Sequence, residues 1–197
     1  MFEKYQKYIE YLNEKLSNFF EQQKDYIKCT KGCSKCCKNG EYPFSEAEFK
    51  YILQGFVQLD KKTQDIIEKN IVDVIEEKKK NKSEKFIYNC PFLVDDLCSV
   101  YDYRGIVCRT FGLIENKEGN SAKIPFCYNE GLNYSNILDK KTNKLSMEKF
   151  KKSGFKTEPL GFNINYDFLT GEKFEKLFDF NFGGKKPLID WFLSENQ

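Results

Sequence analysis

Residues 29–40 read Cys29-Thr-Lys-Gly-Cys33-Ser-Lys-Cys36-Cys37-Lys-Asn-Gly40. Two thiols separated by two or three residues can turn back onto one metal ion or cluster, and the glycines at 32 and 40 permit the tight turns this needs. Outward from this knot the chain carries Cys90, Cys98, Cys108 and Cys127, giving eight cysteines and no histidine in 197 residues. Without imidazole, a soft-metal site must be built mostly from thiolates. The spacing Cys90-x7-Cys98-x9-Cys108-x18-Cys127 is too loose for a zinc ribbon, but it can close a site by folding back on the first knot.

Composition limits the rest. Apolar residues at 40% and aromatics at 16% suffice for a hydrophobic core, and a net charge of +2 argues against nucleic acid as a partner. The N-terminal stretch MFEKYQKYIEYLNEKL has no uninterrupted apolar run, so neither a signal peptide nor a membrane anchor is expected. The expectation is a cytoplasmic protein, monomeric or a weak homodimer, with an unidentified protein or small-molecule partner. In that compartment clustered cysteines bind metal more often than they form disulfides.

Around the knot the pattern is mainly α with a small irregular/β cysteine-rich metal-binding core (α+β). Phe2, Tyr5, Ile9, Leu12, Leu16 and Phe19 recur at helical spacing, and Tyr26 and Ile27 resume the face, so residues 3–28 read as one helix. Ser45-Glu46-Ala47-Glu48 has the form of a capping box and should open a helix with Phe49, Ile52, Leu53, Phe56 and Val57 inward. Asp60 should cap a second helix to about residue 79. FGLIE and AKIPFCY, joined by KEGN, read as a hairpin. Helices follow near 145–152, 171–179 and 187–194, the last with Pro187 in its first turn. The expected organisation is an N-terminal helix (1–28) packed on a cysteine-cluster core (29–130) with a helical insertion at 45–80. A mixed, helical extension of the same domain (131–197) completes it.

All eight cysteines, Cys29, Cys33, Cys36, Cys37, Cys90, Cys98, Cys108 and Cys127, are candidate metal ligands. One cluster using four of them, two four-thiolate sites, or a mixed site with an open position all fit the spacing. Neighbouring side chains tend to diverge, so Cys36 and Cys37 are not expected to share a small site. Spacing alone does not separate iron–sulfur from zinc, although the Cys90-Pro91 step is like the Cys-Pro end of bacterial ferredoxin runs.

The order Cys29 to Cys37, Cys90-Pro-Phe-Leu, Cys98-Ser-Val-Tyr101, Arg104, Cys108-Arg109-Thr-Phe111 resembles the cysteine-cluster family of zinc- or iron-chelating proteins. Its usual signature is a CxxCxxCC knot, a CPFL-like step and a CxxYxxRPxxCRxF stretch. The resemblance covers roughly residues 29–127 and departs at two points: the first gap holds three residues, and Gly105 stands where proline is usual. It implies Cys33, Cys36, Cys37, Cys90, Cys98 and Cys108 as the best ligand candidates, with Cys127 a further one. More distantly the knot resembles that of flagellin lysine N-methylases, but no glycine-rich nucleotide fingerprint accompanies it.

Arg104 and Arg109 are the only arginines, and both lie near Cys108. Their charge would offset an anionic thiolate site or grip an acidic group, and Asp95, Asp96 and Asp102 are the alternative partners. Tyr101 falls where it can stand beside the site. No catalytic residue is identifiable. The expected cofactor is a 4Fe-4S iron–sulfur cluster ahead of zinc, serving redox, metal handling or a cluster-dependent reaction. A protein-modifying enzyme of the lysine N-methylase kind predicts an open cleft faced by Arg104 or Arg109. A zinc-stabilised binding module predicts a closed all-cysteine site.

Overall fold

In the computed structural model, which describes residues 2–117 and 121–194, helices dominate and the strands are short. The order is α1 (Phe2–Gln22), β1 (Pro43–Ser45), α2 (Glu46–Phe56), α3 (Lys61–Lys80), β2 (Leu93–Val94), β3 (Leu97–Cys98) and α4 (Ile106–Thr110). Then come β4 (Ile114–Lys117), β5 (Ser121–Lys123), β6 (Leu138–Asp139), β7 (Lys144–Leu145), α5 (Met147–Ser153) and β8 (Gly161–Phe162). The chain closes with α6 (Tyr166–Leu169), α7 (Glu172–Phe178), β9 (Lys185–Pro187) and α8 (Leu188–Ser194).

The first helix is shorter than its periodicity suggests. It ends at Gln22, and a 3-10 turn occupies Lys24–Tyr26. The cause is Gln23, whose buried side chain accepts from the Leu160 N–H (2.9 Å) and donates to the Glu158 carbonyl (3.3 Å). The chain bends there, so Tyr26 leaves the α1 face and stacks on Tyr134 at 5.2 Å between ring centroids. Within α1, Tyr5, Ile9, Leu12 and Leu16 are buried as the spacing predicts, and Tyr8 joins them. Phe2, by contrast, is exposed. This stripe packs on Tyr51, Ile106, Leu169, Phe174 and Phe182.

The capping box at Ser45 is formed in full. Asp60 caps α3 through the Thr63 N–H at 3.0 Å. From α2, Phe49 and Ile52 enter a second core with Phe44, Ile67, Phe92, Val100 and Leu188. Val57 is 68% exposed, because α2 stops at Phe56 and the chain turns outward before Asp60. Each large side chain buried here contributes roughly 1.5–3 kcal/mol. β1 pairs antiparallel with β9, which draws α8 back over this core, where Trp191 stacks on Phe49 and donates to the Phe44 carbonyl at 3.0 Å.

The expected hairpin is present as β4 against β5, its turn lying largely outside the described residues, and β4 also pairs in parallel with β8. No helix is long and apolar enough to cross a membrane among the described residues. Cys90, Cys98 and Cys108 pack against the second core, so the same apolar cluster that holds α2, α3 and α8 together is the floor on which the cysteines rest.

Candidate metal centre

The knot folds as consecutive turns. The Cys33 N–H donates to the Thr30 carbonyl (2.9 Å), Lys38 to Ser34 (3.0 Å) and Asn39 to Cys36 (3.3 Å), while Gly32 takes φ +87°, a left-handed value that L-residues rarely adopt. Because Cys36 and Cys37 lie in a turn rather than an extended segment, their side chains converge. The two Sγ atoms are 3.9 Å apart, against the divergence expected of sequence neighbours.

Three attachments bring the distant cysteines to this turn. The Cys90 N–H donates to the Cys37 carbonyl at 2.7 Å, and Gly40 bridges to Tyr88 alongside. The β2–β3 hairpin, which carries Cys98, reaches the knot through Asp96, which accepts from Ser34 Oγ (2.8 Å) and pairs with Lys38. Its tight turn holds Asp95 and Asp96 both at positive φ. The 3-10 turn Phe126–Glu130, which carries Cys127, is tied by Lys35 to Glu130 at 3.0 Å. These exposed ion pairs contribute little energy, so the backbone bond and the apolar floor carry the assembly.

Cys108 arrives differently. It sits on α4, a helix of five residues that does not stand alone. Glu48, 1% exposed, fixes its start: Oε1 accepts from the Ile106 N–H at 2.7 Å, and Oε2 accepts from Tyr166 Oη at 2.6 Å and from the Ser45 N–H and Oγ at 2.8 and 2.7 Å. Burial nevertheless pushes its carboxyl above the usual range. Gly105, at the N-cap, explains the missing proline. Its φ of −66° is the value proline enforces. A Cβ there would meet Phe44 Cε1 at 2.2 Å, so only glycine lets Phe44 pack so close.

Cys36, Cys37, Cys90 and Cys108 line one cavity of about 40 Å³ whose other walls are chiefly Tyr42, Phe44, Tyr88, Val107, Phe111 and Leu188. All eight cysteines are free of disulfides. Burial and neighbouring thiols raise the proton affinity of Cys29, Cys36, Cys90, Cys98, Cys108 and Cys127, in two groups that share Cys36. Burial, then Cys108, Cys98 and Cys36, pushes Cys90 far up; burial, then Cys98 and Cys36, pushes Cys108 up to about 12. On the other side, burial, then Cys29 and Cys36, pushes Cys127 up to about 12. Cys36 itself is held far above the ordinary thiol value by its contact with Cys37 and by burial. Among the described residues no three cysteine, aspartate or glutamate side chains converge as a ready single-ion site. The thiols instead surround the cavity.

Arg104 precedes α4 and Arg109 lies on it, and neither lines the cysteine cavity. Arg109 is 4% exposed and donates to the Arg104 carbonyl (2.9 Å), to Asn13 Oδ1 (2.8 Å) and to the Asp102 carbonyl. Arg104 lies over the Tyr101 ring at 3.7 Å. Neither pairs with the carboxylates of Asp95, Asp96 or Asp102 among the described residues. Their charge reaches the thiols: burial raises Cys98, while Arg104 and Arg109 pull it back down. Tyr101 is 60% exposed and shelters Arg104 rather than the cavity, which Phe111 lines.

Sequence reasoning missed Glu48's second role and Asn133. The side chain of Asn133, fully buried in the loop after Cys127, donates from Nδ2 to Cys29 Sγ (3.3 Å) and to the Gly112 carbonyl (3.0 Å), and its Oδ1 accepts from the Lys28 N–H (2.7 Å). Nothing in the Gly-Leu-Asn-Tyr stretch signals this. Burial raises the Cys29 thiol, and Asn133 opposes it, as a donor to a thiolate ligand does.

Soft thiolate donors around a largely apolar, aromatic-walled cavity suit zinc or iron and poorly suit a hard cation. No curated protein and no solved structure matches the chain. A family model does, over residues 28–128, more than half of the length, and its description is "Putative zinc- or iron-chelating domain". The segment so matched spans every cysteine described above, and the chain belongs to the CxxCxxCC family of zinc- or iron-chelating domains.

Proposed function

We propose that this chain chelates an iron–sulfur cluster of the 4Fe-4S kind, held by Cys36, Cys37, Cys90 and Cys108, and serves redox or metal handling. The supporting observation is the cavity itself. Four thiols face a space of about 40 Å³, larger than the roughly 10–15 Å³ that one water needs. Four thiolates closing directly on one ion leave no such space, whereas a cluster with its own sulfides occupies and widens it once the Cys36 and Cys37 thiols part from their contact. When bound, such a cluster supplies one-electron redox chemistry or a Lewis-acidic iron.

The chain's own residues supply the rest. Tyr42, Tyr88 and Phe111 exclude water from the thiols. Arg104 and Arg109 offset the negative charge that deprotonated thiols bring, acting through space on Cys98 in particular. Cys29, Cys33 and Cys127 adjoin the cavity group through Cys36 and offer a second thiolate set.

One observation favours zinc as the second reading. Thiolates about 2.3 Å from a tetrahedral zinc lie roughly 3.8 Å from one another. Cys36 Sγ and Cys37 Sγ are 3.9 Å apart. The readings part on inorganic sulfide, which accompanies the cluster and not the zinc, and sulfide analysis of anaerobically purified protein tests them.

A further inference from the structure

A cleft of about 410 Å³ runs between α1 and the segment Tyr101–Arg109, and no cysteine lines it. Two guanidiniums do, Arg104 and Arg109, neighbours in space without a carboxylate partner among the described residues. Such a pair is costly: the Arg109 charge is buried, and the half-buried Arg104 charge beside it repels it. The described bonds do not relieve this. Arg109 spends three donors on neutral oxygens, and Arg104 spends one, Nη1 to the Tyr101 carbonyl at 2.7 Å. A guanidinium has five N–H donors, so most of the Arg104 fork remains uncommitted. Stacking on Tyr101 holds that fork flat and lowers the entropy lost when it is engaged.

The remaining walls define what fits. Ile9, Leu16, Phe20 and Tyr51 give an apolar flank suited to a hydrocarbon body. Glu10 and Asp102, both exposed, place two carboxylates in the same lining. They repel a dianion and tolerate a single negative charge, the more so if an ammonium accompanies it.

We propose that this cleft binds a small organic monocarboxylate with an apolar body, its carboxylate gripped by the Arg104 fork against the positive field of buried Arg109. The carboxylate can belong to a simple acid or to a zwitterionic amino acid. The assignment is independent of which metal the cysteines hold.

Isothermal titration of the anaerobically purified protein with phenylacetate, L-phenylalanine and inorganic phosphate tests it. At least one of the two carboxylates should bind with a dissociation constant below about 10 mM, and phosphate should bind at least about tenfold more weakly. Tighter binding of L-phenylalanine identifies the zwitterion, tighter binding of phenylacetate the simple acid. Arg104→Gln should weaken the preferred ligand about tenfold or more, and Arg104→Lys, which keeps the charge and loses the fork, should fall between. Should Arg104→Gln fail to fold, Ser17→Trp, at an exposed α1 position lining the cleft, should abolish binding by filling it. Absence of carboxylate binding at about 10 mM, phosphate binding as tight as either carboxylate, or unchanged affinity in a folded Arg104→Gln or Ser17→Trp variant overturns the assignment.

Discussion

Glu48 Oε1 accepts the Ile106 N–H at 2.7 Å, so one buried carboxylate both closes the capping box of α2 and starts the helix that presents Cys108. Removing it leaves the N–H groups of Ser45 and Ile106 and the Tyr166 hydroxyl without their acceptor. Glu48→Ala should therefore cost on the order of 3 kcal/mol or more in denaturant unfolding of the metal-free protein, with Glu48→Gln costing less. The pH dependence has a definite sign. Burial raises this carboxyl in the folded state, so both states are protonated below about pH 4.5 and folding loses free energy as pH rises beyond it. The stability advantage of wild type over Glu48→Gln should shrink from pH 4.5 upward; an advantage that grows over this range contradicts the assignment.

Phe44 and Gly105 are packed so that no methyl group fits between them. Gly105→Ala should destabilise the fold by about 1–3 kcal/mol, since the obstacle is a buried ring rather than a flexible side chain. Gly105→Ala combined with Phe44→Leu should recover part of that loss, measured as a double-mutant cycle. Additive losses would show that the two residues do not crowd one another.

Burial, then the neighbouring thiols, pushes Cys108 and Cys127 up to about 12, so both hold their protons at neutral pH. Metal binding must displace those protons, which makes affinity rise with pH. Titrating zinc into weakly buffered apo protein at pH 7 should release roughly four protons per ion bound, and affinity should climb between pH 6 and 8. Release of less than about one proton per ion would mean that the ligands are already thiolates or are not cysteines.

The cavity divides the cysteines. Cys108→Ser, made at its wall, should reduce the bound metal to roughly a tenth or less, because a hydroxyl does not replace a thiolate on a soft metal. Cys29, which meets Asn133 instead of the cavity, should tolerate serine with the iron and sulfide of the cavity preserved, even where metal on the second thiolate set is lost. Equal loss of iron and sulfide in both variants, measured on folded protein, would place Cys29 in the same ligand set.

Much of the helical frame was legible because each element announces itself locally. Ser45 with Glu48, Asp60 before Thr63, and the stripe Tyr5, Ile9, Leu12 and Leu16 are signals of a few residues, and the structure contains the helices they predict. The hairpin of Ile114–Lys117 with Ser121–Lys123 was legible for the same reason. What escaped depends on distant partners. The bend at Gln23 exists because of Leu160, 137 positions away. The grip of Glu48 on Ile106 spans 58 positions, and that of Asn133 on Cys29 spans 104. No local pattern encodes such contacts, and the centre's supporting residues were hidden although its cysteines were plain.

The proposed sulfide-containing iron cluster in the thiol-lined cavity leaves a chemical signature that zinc does not. Anaerobic purification after expression with iron available, followed by metal analysis, acid-labile sulfide assay and an absorption spectrum, tests it most directly. The expected result is a brown protein with iron and inorganic sulfide in equal amounts and a broad visible absorption band. A colourless protein that retains stoichiometric zinc and no sulfide, and stays so after reconstitution with iron and sulfide, would contradict it.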